Sequence, residues 1–317
     1  MAPPDSLIHA SSGALGGICA MAITYPLISI STRAQVEARR HPGESSLEAA
    51  LHLIQREGFV SLYDGLGSSL IGIAITNGIY YLFFEETRAI LLRTRNRLPL
   101  TTLQSMLAGA VAGSMTAVLT NPIWVVNTRQ TVRVVPTGTS TNEPKSERLG
   151  FGQTILHILK SDGPRAFFRG LGPALILVIN PILQYTLFEQ LTRILVLRRR
   201  LMSKTPVKNA EKARPLRDLD FFLLGAISKL FATGVTYPYL TVKSRMQSGQ
   251  AEGRGYRNTW DGLSQIVKKD GVKGLYRGIA PKLTQSVLTA AFLFLAKERI
   301  YIATKKALVT ASKVAPV

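Results

Sequence analysis

The sequence predicts an all-α membrane protein with six transmembrane helices in three pseudo-symmetric repeats, each of which also carries a short surface helix. Three observations support this fold class. Six runs are uncharged or nearly so, a proline motif recurs at residues 26, 122 and 238, and an acidic residue followed by glycine comes after each motif. Recurrence of one pattern along a chain indicates several copies of one structural unit.

The six runs are the predicted membrane spans, because a helix needs about 20 mostly apolar residues to cross the hydrocarbon core. The five longer runs are Ala10–Thr32, Gly65–Phe84, Leu98–Thr128, Gly170–Phe188 and Phe221–Val242. Only the last of these contains a charged residue, Lys229. The run Leu283–Ala296 is short for a span. We predict a sixth helix there because it occupies the place that the second and fourth runs occupy in their repeats.

The proline motifs predict how the odd-numbered helices meet. Their prolines are Pro26, Pro122 and Pro238, and the arginines seven residues beyond them are Arg33, Arg129 and Arg245. A proline inside a helix removes a backbone hydrogen bond and kinks the helix. Three kinked helices are therefore expected to converge and close one end of a central cavity. We predict one transmembrane domain with repeats at residues 1–97, 98–210 and 211–317.

The composition narrows the classes of function. The net charge of +20 is concentrated between the apolar runs, as at Arg198–Arg200, which favours contact with anionic lipid or solute over nucleic acid. The single cysteine, Cys19, excludes an intrachain disulfide and a cysteine-based zinc cluster. No histidine, cysteine or carboxylate cluster has catalytic or metal-binding spacing. We therefore expect no enzyme, no catalytic residues, no metal and no cofactor.

The repeated motif resembles the signature of the mitochondrial carrier family, in which a proline motif is followed by an acid–glycine pair three times over. The pairs here are Glu57-Gly58, Asp162-Gly163 and Asp270-Gly271. The resemblance covers nearly the whole chain. It implies a three-fold pseudosymmetric bundle of six helices, one central substrate site and alternating access between two gates.

Within the family, the segment Asn121–Arg129 resembles the branch that carries nucleotides and nucleotide-like cofactors. The elements Asn180-Pro181, Gln184 and Lys229 resemble the peroxisomal adenine nucleotide carriers of the fungal peroxisomal membrane protein type. This resemblance implies a monomeric antiporter in the peroxisomal membrane that exchanges ATP for AMP or ADP. Its expected partners are the nucleotide and membrane lipid.

Two alternatives stay open on the sequence. The first is a carrier of coenzyme A, FAD, NAD or pyrimidine nucleotides, with the mitochondrial inner membrane as a second possible location. The second is a membrane scaffold without transport activity, for which no substrate-dependent stabilisation of the purified protein is expected.

The gate beside the prolines departs from the family pattern. The family's acidic positions hold Ile28, Trp124 and Leu240, and its basic positions hold Ser31, Asn127 and Lys243. A ring of ion pairs cannot form from these residues. We expect this gate to close through apolar packing around Trp124 with a few polar contacts.

The opposite gate is also incomplete. In the family, this gate is formed by an acidic residue and a basic residue three positions later on each even-numbered helix. Glu85 and Arg88 match this pattern, whereas Glu189 and Glu298 lack a base in register. Ordinary charges at the helix ends are the other interpretation.

The predicted substrate site centres on Lys229, because an ionisable residue inside a membrane span usually faces a cavity. We expect Lys229 to bind phosphate, with Lys282 adding positive charge. The family's three contact points fall near Gly72, near Ile176 and Leu177, and at Gln285. The first two leave room for a flat adenine, and Gln285 is expected to hydrogen-bond a base or ribose.

Further cavity candidates are Asn77, Asn180, Gln184 and Tyr185. Each of them has a second interpretation as a hydrogen bond between helices. The arginines of the proline motifs also have two interpretations. They either receive phosphates at the closing end or cap carbonyls and contact loops.

Overall fold

The computed structural model describes residues 5–36, 48, 51–52, 54–55, 58–94, 100–132, 149–202, 216–249 and 255–292. All regular elements within these ranges are helical. The first three long helices are α1 (Asp5–Val36), α2 (Leu66–Thr94) and α3 (Thr102–Val132). The remaining helices are α4 (Phe151–Ser161), α5 (Leu171–Ile176), α6 (Ile179–Met202), α7 (Asp218–Ser248), α8 (Thr259–Leu275) and α9 (279–292). These elements confirm the all-α fold class.

Four stretches of the described chain are long and apolar enough to cross a membrane. They are Phe59–Arg93, Thr102–Val132, Pro164–Arg199 and Leu219–Ser248. The helices α1 and α9 occupy the other two places in the repeats. The surface helices of the second and third repeats are α4 and α8, and α8 is interrupted at Gly271, where φ is 69°. The predicted repeat boundaries at residues 97 and 210 lie outside the described residues.

The fourth predicted span is divided into two helices. The break lies at Leu177 and Val178, where the Val178 and Asn180 amides bond carbonyls three residues back rather than four. Pro181 provides the physical reason, since it has no N–H to donate to the carbonyl of Leu177. The break matters for the site because Leu177 lies at the cavity wall.

Each even-numbered span begins at a glycine with positive φ. The angles are 84° at Gly65, 79° at Gly170 and 77° at Gly278. At Gly278 a Cβ would lie 2.7 Å from the carbonyl oxygen of Ser31, so the close approach of this turn to α1 excludes larger side chains as well.

The residue before each motif proline donates to the carbonyl that precedes one of these glycines. Tyr25 Oη bonds Asp64 O at 3.0 Å, Asn121 Nδ2 bonds Arg169 O at 3.2 Å, and Tyr237 Oη bonds Arg277 O at 2.9 Å. Three equivalent bonds in three repeats reflect the pseudo-three-fold symmetry of the bundle.

The packing of the helices leaves a cavity at the centre of the bundle. The proline-containing helices α1, α3 and α7 all contact one another. Around them, α2 packs on α3 and α6 packs on α7. Thr24 on α1 and Thr289 on α9 share a hydrogen bond of 3.1 Å, which joins the last helix to the first.

Candidate functional site

Two adjoining compartments lie between the helices. The first has a volume of about 710 Å³, lies between α2, α3 and the α5–α6 segment, and includes the rings of Tyr80, Trp124 and Tyr185. We call it the aromatic compartment. The second has a volume of about 780 Å³, lies between α6, α7 and α9, and includes Lys229 and Lys282. We call it the lysine compartment. Leu177 and Pro181 line both, so they form the wall between the two.

Three lysines on two helices carry the positive charge of the site. Lys229 and Lys282 line the lysine compartment, and Lys243 lines the aromatic compartment. Lys282 interacts electrostatically with both of the others. Among the described residues, no carboxylate forms an ion pair with any of these lysines. Three cations that share a cavity without a counter-charge favour an anionic ligand.

The predicted amide ligands already use donors within the protein, Asn180 to the neighbouring helix α7 and Gln285 to its own helix α9. Gln285 Nε2 donates to Thr289 Oγ1 at 3.0 Å, and Asn180 Nδ2 donates to Thr236 Oγ1 at 2.7 Å. Both amides and Gln184 line the lysine compartment. The structure thus places them at the cavity, and it also shows the helix-packing role for Asn180.

The first two predicted contact points differ in position from the expectation. Gly72 lines neither compartment, because a Cβ there would lie 3.3 Å from the Ile123 side chain and 3.8 Å from the Trp124 ring. Its small size instead allows α3 to approach α2. Leu177 lines both compartments, whereas its neighbour Ile176 lines neither.

Trp124 and Asn77 lie on the wall of the aromatic compartment. Trp124 Nε1 donates a hydrogen bond to Thr76 Oγ1 at 3.2 Å, which fixes the orientation of the indole ring. Gly109 and Gly113 line the same compartment, and Gly113 lies close to Val178. The predicted gate residue Trp124 is therefore part of the cavity wall.

The end of the bundle beside the prolines is closed by hydrogen bonds between repeats. Gln35 Nε2 donates to Tyr237 Oη at 2.9 Å, and Gln35 Oε1 accepts from Ser244 Oγ at 2.6 Å. Gln247 Nε2 donates to Asn121 Oδ1 at 3.2 Å. These bonds join α1 to α7 and α7 to α3, and we call this set the polar ring.

A third set of bonds adds α2 to the closed end. Asn127 Nδ2 lies 2.9 Å from Ser68 Oγ, 2.6 Å from Ser69 Oγ and 3.0 Å from Gly65 O. The closure is thus mainly polar, which differs from the expected apolar packing around Trp124. The side chains of Gln35 and Gln247 were not predicted to have a role. Their equal spacing after Arg33 and Arg245 was the signal in the sequence.

The motif arginines contact loops and carbonyls. Arg129 pairs with Asp162 at 2.5 Å and Arg245 pairs with Asp270 at 2.8 Å, which links each helix to the acid–glycine pair of its own repeat. Arg33 Nη2 lies 3.7 Å from an oxygen of the Asp64 carboxylate. Arg245 Nε also donates to Gln35 O at 2.8 Å. These contacts support the capping interpretation rather than phosphate binding.

The opposite end has a different arrangement. Glu85 pairs with Arg88 at 3.2 Å within α2, and Glu189 pairs with Arg193 at 2.5 Å within α6. Glu298 lies outside the described residues. These pairs within single helices do not draw helices together, so the cavity is expected to open toward this end.

One ion pair near the opposite end crosses between helices. Arg199 Nη1 and Nη2 contact the two carboxylate oxygens of Asp220, each at 2.7 Å. The pair links the end of α6 to the start of α7. Arg198–Arg200 lies between two apolar runs, and nothing in its local sequence indicates this partner.

Known proteins resemble this chain over nearly its full length. Peroxisomal membrane protein PMP47B of Candida boidinii is 34% identical over 381 aligned residues, covering 94% of this chain and 86% of that protein. The peroxisomal nicotinamide adenine dinucleotide carrier of Arabidopsis thaliana is 35% identical, with 93% and 95% coverage. Peroxisomal adenine nucleotide carrier 1 of Glycine max is more distant, at 28% identity with 95% and 92% coverage.

The family model described as mitochondrial carrier protein matches the chain three times, at residues 3–95, 98–199 and 217–307. The three matches follow one another in the same order as the three proline motifs. They also agree with the three equivalent hydrogen bonds before the even-numbered spans. The chain therefore belongs to the mitochondrial carrier family, whose members are membrane transporters rather than enzymes.

Proposed function

We propose that this carrier exchanges adenine nucleotides, ATP for AMP or ADP, across the peroxisomal membrane by alternating access. The observation that carries the proposal is the set of Lys229, Lys243 and Lys282 around one cavity without a carboxylate partner in the described chain. A site of this kind binds an anion with several charges more strongly than a neutral or singly charged solute.

The lysines suit terminal phosphates. A phosphomonoester carries nearly two negative charges at pH 7, because its second pKa is about 6. A lysine ammonium is a compact point charge with three donors, which adapts to phosphate oxygens in more than one orientation. ATP, ADP and AMP all carry such a terminal phosphate.

The aromatic compartment suits the base. Trp124, Tyr80 and Tyr185 line it with aromatic side chains, and the hydrogen bond from Trp124 to Thr76 orients the largest of them. Stacking of a base on an aromatic side chain stabilises a complex by about 1–3 kcal/mol. Asn77 in this compartment and Gln285 in the other supply polar groups for the base or the ribose.

The relatives support the proposed membrane. PMP47B and the two carriers described above bear peroxisomal names, and the comparisons cover more than nine-tenths of this chain. We propose that the protein works as a monomer, since one chain supplies all three repeats and encloses the cavity. The boundaries after residues 97 and 210 are part of the same proposal.

NAD is the second candidate substrate. The Arabidopsis NAD carrier is 35% identical to this chain, which exceeds the 28% of the soybean adenine nucleotide carrier. NAD contains the same adenosine but only a diphosphate diester, which lacks the extra charge of a terminal phosphate. The lysine set therefore favours ATP, whereas the sequence identity favours NAD.

Reconstitution in liposomes decides between the candidates. Vesicles loaded with AMP are expected to take up labelled ATP and ADP faster than NAD, coenzyme A, FAD or pyrimidine nucleotides. Absence of ATP exchange with rapid uptake of another of these substrates would reassign the cargo. No exchange and no substrate-dependent stabilisation of the purified protein would favour the scaffold alternative.

A matched substitution connects the activity with the site. Lys229→Ala is expected to weaken ATP uptake at low substrate concentration, because the lysine compartment loses a phosphate ligand. Lys160→Ala, on the exposed surface of α4, serves as the control for loss of one positive charge. Equal behaviour of the two variants would assign Lys229 a packing role.

A further inference from the structure

Lys243 lies where the cavity meets the closed end of the bundle. Its side chain lines the aromatic compartment. The next residue, Ser244, donates to Gln35 Oε1 at 2.6 Å, and Gln247 one turn further donates to Asn121. Lys243 is thus adjacent on α7 to two members of the polar ring.

The backbone of Lys243 is held in place by the packing of the fourth span. A Cβ on Gly170 would lie 3.1 Å from the carbonyl oxygen of Lys243, so the start of α5 touches α7 at this residue. A fixed backbone leaves the long side chain as the adjustable part. The ammonium is therefore presented to the cavity from a rigid floor.

The charge of Lys243 has no protein counter-ion within the described residues. Lys282, across the wall formed by Leu177 and Pro181, interacts electrostatically with Lys243 and with Lys229. Like charges in one cavity repel, and an anion that contacts more than one of them relieves the repulsion. A chain of phosphates is an anion of this shape.

We propose that Lys243 is a phosphate-binding residue at the floor of the cavity, and that it selects cargo by the length of the phosphate chain. This inference rests on the proposed nucleotide transport. Lys229 and Lys282 share one compartment, whereas Lys243 lines the other. A single phosphate held by the first two leaves Lys243 without a ligand, whereas we expect a longer phosphate chain to pass Leu177 and Pro181 and reach Lys243.

The geometry also links the cargo to the gate. A phosphate on Lys243 is bound beside Ser244 and one helical turn from Gln247, whose hydrogen bonds hold the end closed. A shift of α7 toward the phosphate changes the positions of both side chains together. Lys243 is in this way a specificity-determining residue that also positions the polar ring.

The test compares Lys243→Gln, Lys243→Arg and Lys160→Gln in the full chain. Binding is measured as the rise in melting temperature of the purified protein with ATP, AMP and inorganic tripolyphosphate. Because Lys243→Gln removes a charged hydrogen-bond donor, it is expected to weaken apparent affinity for ATP and tripolyphosphate about tenfold or more. Its affinity for AMP is expected to change less than threefold, within about 0.6 kcal/mol.

The conservative variant and the control separate this role from a structural one. Lys243→Arg is expected to retain most of the affinity for tripolyphosphate, and Lys160→Gln is expected to match the unmodified protein. If Lys243→Gln lowers the melting temperature without ligand, the ratio of ATP to AMP affinity remains the readout. An unchanged ratio would overturn the inference.

Tripolyphosphate separates failure of this inference from failure of the proposed function. Stabilisation by tripolyphosphate that depends on Lys243, without ATP exchange in liposomes, would support the phosphate site and reject the adenine cargo. ATP exchange with a KM that Lys243→Gln leaves unchanged would support the cargo and reject the role of Lys243.

Discussion

The two ends of the bundle differ in where their polar side chains find partners. At the proline end, Gln35 and Gln247 bond helices of other repeats. At the opposite end, Glu85 and Glu189 pair with arginines of their own helices, and the Arg199–Asp220 pair joins α6 to α7, the helix that follows it in the chain. Bonds between helices hold an end closed, whereas pairs within one helix leave neighbouring helices free to separate. The comparison indicates a conformation that is closed beside the prolines.

The difference also shows what must change during transport. Opening the proline end breaks hydrogen bonds, most of them between neutral side chains, rather than a ring of ion pairs. A neutral hydrogen bond contributes about 0.5–1.5 kcal/mol, against about 1.5–3 kcal/mol when a charged group takes part. Several weak bonds suit a gate that opens repeatedly, because each can be replaced by water or by a new partner.

The largest expected effect comes from the buried ion pair of the closed end. Arg245 and Asp270 are only 5% and 6% exposed, and Arg245→Ala leaves the buried carboxylate with the longer contact to Arg277 at 3.6 Å, so it is expected to lower the free energy of unfolding by about 3 kcal/mol. Arg193→Ala at the opposite end removes a side chain that is 63% exposed. Its expected effect is below about 1 kcal/mol.

Denaturant unfolding of the two purified variants measures this contrast. Both lose an arginine that pairs with a carboxylate, so they differ mainly in burial and in the end of the bundle they occupy. Similar destabilisation of the two would contradict the distinction between the ends.

An intermediate effect is expected from the polar ring. Gln35→Leu leaves Tyr237 Oη and Ser244 Oγ without their glutamine partner, at a cost of about 1–3 kcal/mol. Tyr237→Phe removes the other side of the first bond. A double-mutant cycle on the free energy of unfolding is expected to give a coupling energy of about 0.5–3 kcal/mol between the two side chains. Simple additivity would show that the two side chains do not act together.

The smallest expected effect comes from adding acids to the closed end. The triple substitution Ile28→Asp, Trp124→Asp and Leu240→Asp offers Lys243 a carboxylate partner. A new charge pair in a wet cavity contributes about 1 kcal/mol, so exchange at saturating ATP is expected to slow about fivefold. The matched asparagine triple variant controls for lost apolar packing. Equal rates for the two triple variants would reject an electrostatic effect on opening.

The fold could be predicted from the sequence because the patterns that indicate it are local. Uncharged runs, the prolines Pro26, Pro122 and Pro238, and their equal spacing to arginine are visible without knowledge of any contact. The helices extend beyond the predicted spans, as in α3, which continues to Val132. The uncharged run ends at Arg129, but the helix continues past it. Arg129 remains helical while its side chain pairs with Asp162.

The residues of the candidate site could be predicted from the sequence only in part. Lys229, Lys282 and Gln285 were expected at the cavity and lie there, and a charge in an apolar run was the signal for the first of them. Gly72 was placed in the site by register alone, but the approach of Trp124 covers it. Lys243 was assigned to the gate, and its place on the cavity wall depends on how α7 faces α3.

The sequence by itself determined the three-fold helical architecture, because each repeat carries its own apolar runs, proline kink and glycine turn. Only the tertiary structure decided which polar residues close the bundle and which face the cargo. Gln35 and Tyr237 are 202 residues apart in the chain, and they meet because α1 and α7 converge. A hydrogen bond between repeats depends on helix rotation and distance, and no local pattern in either segment encodes them.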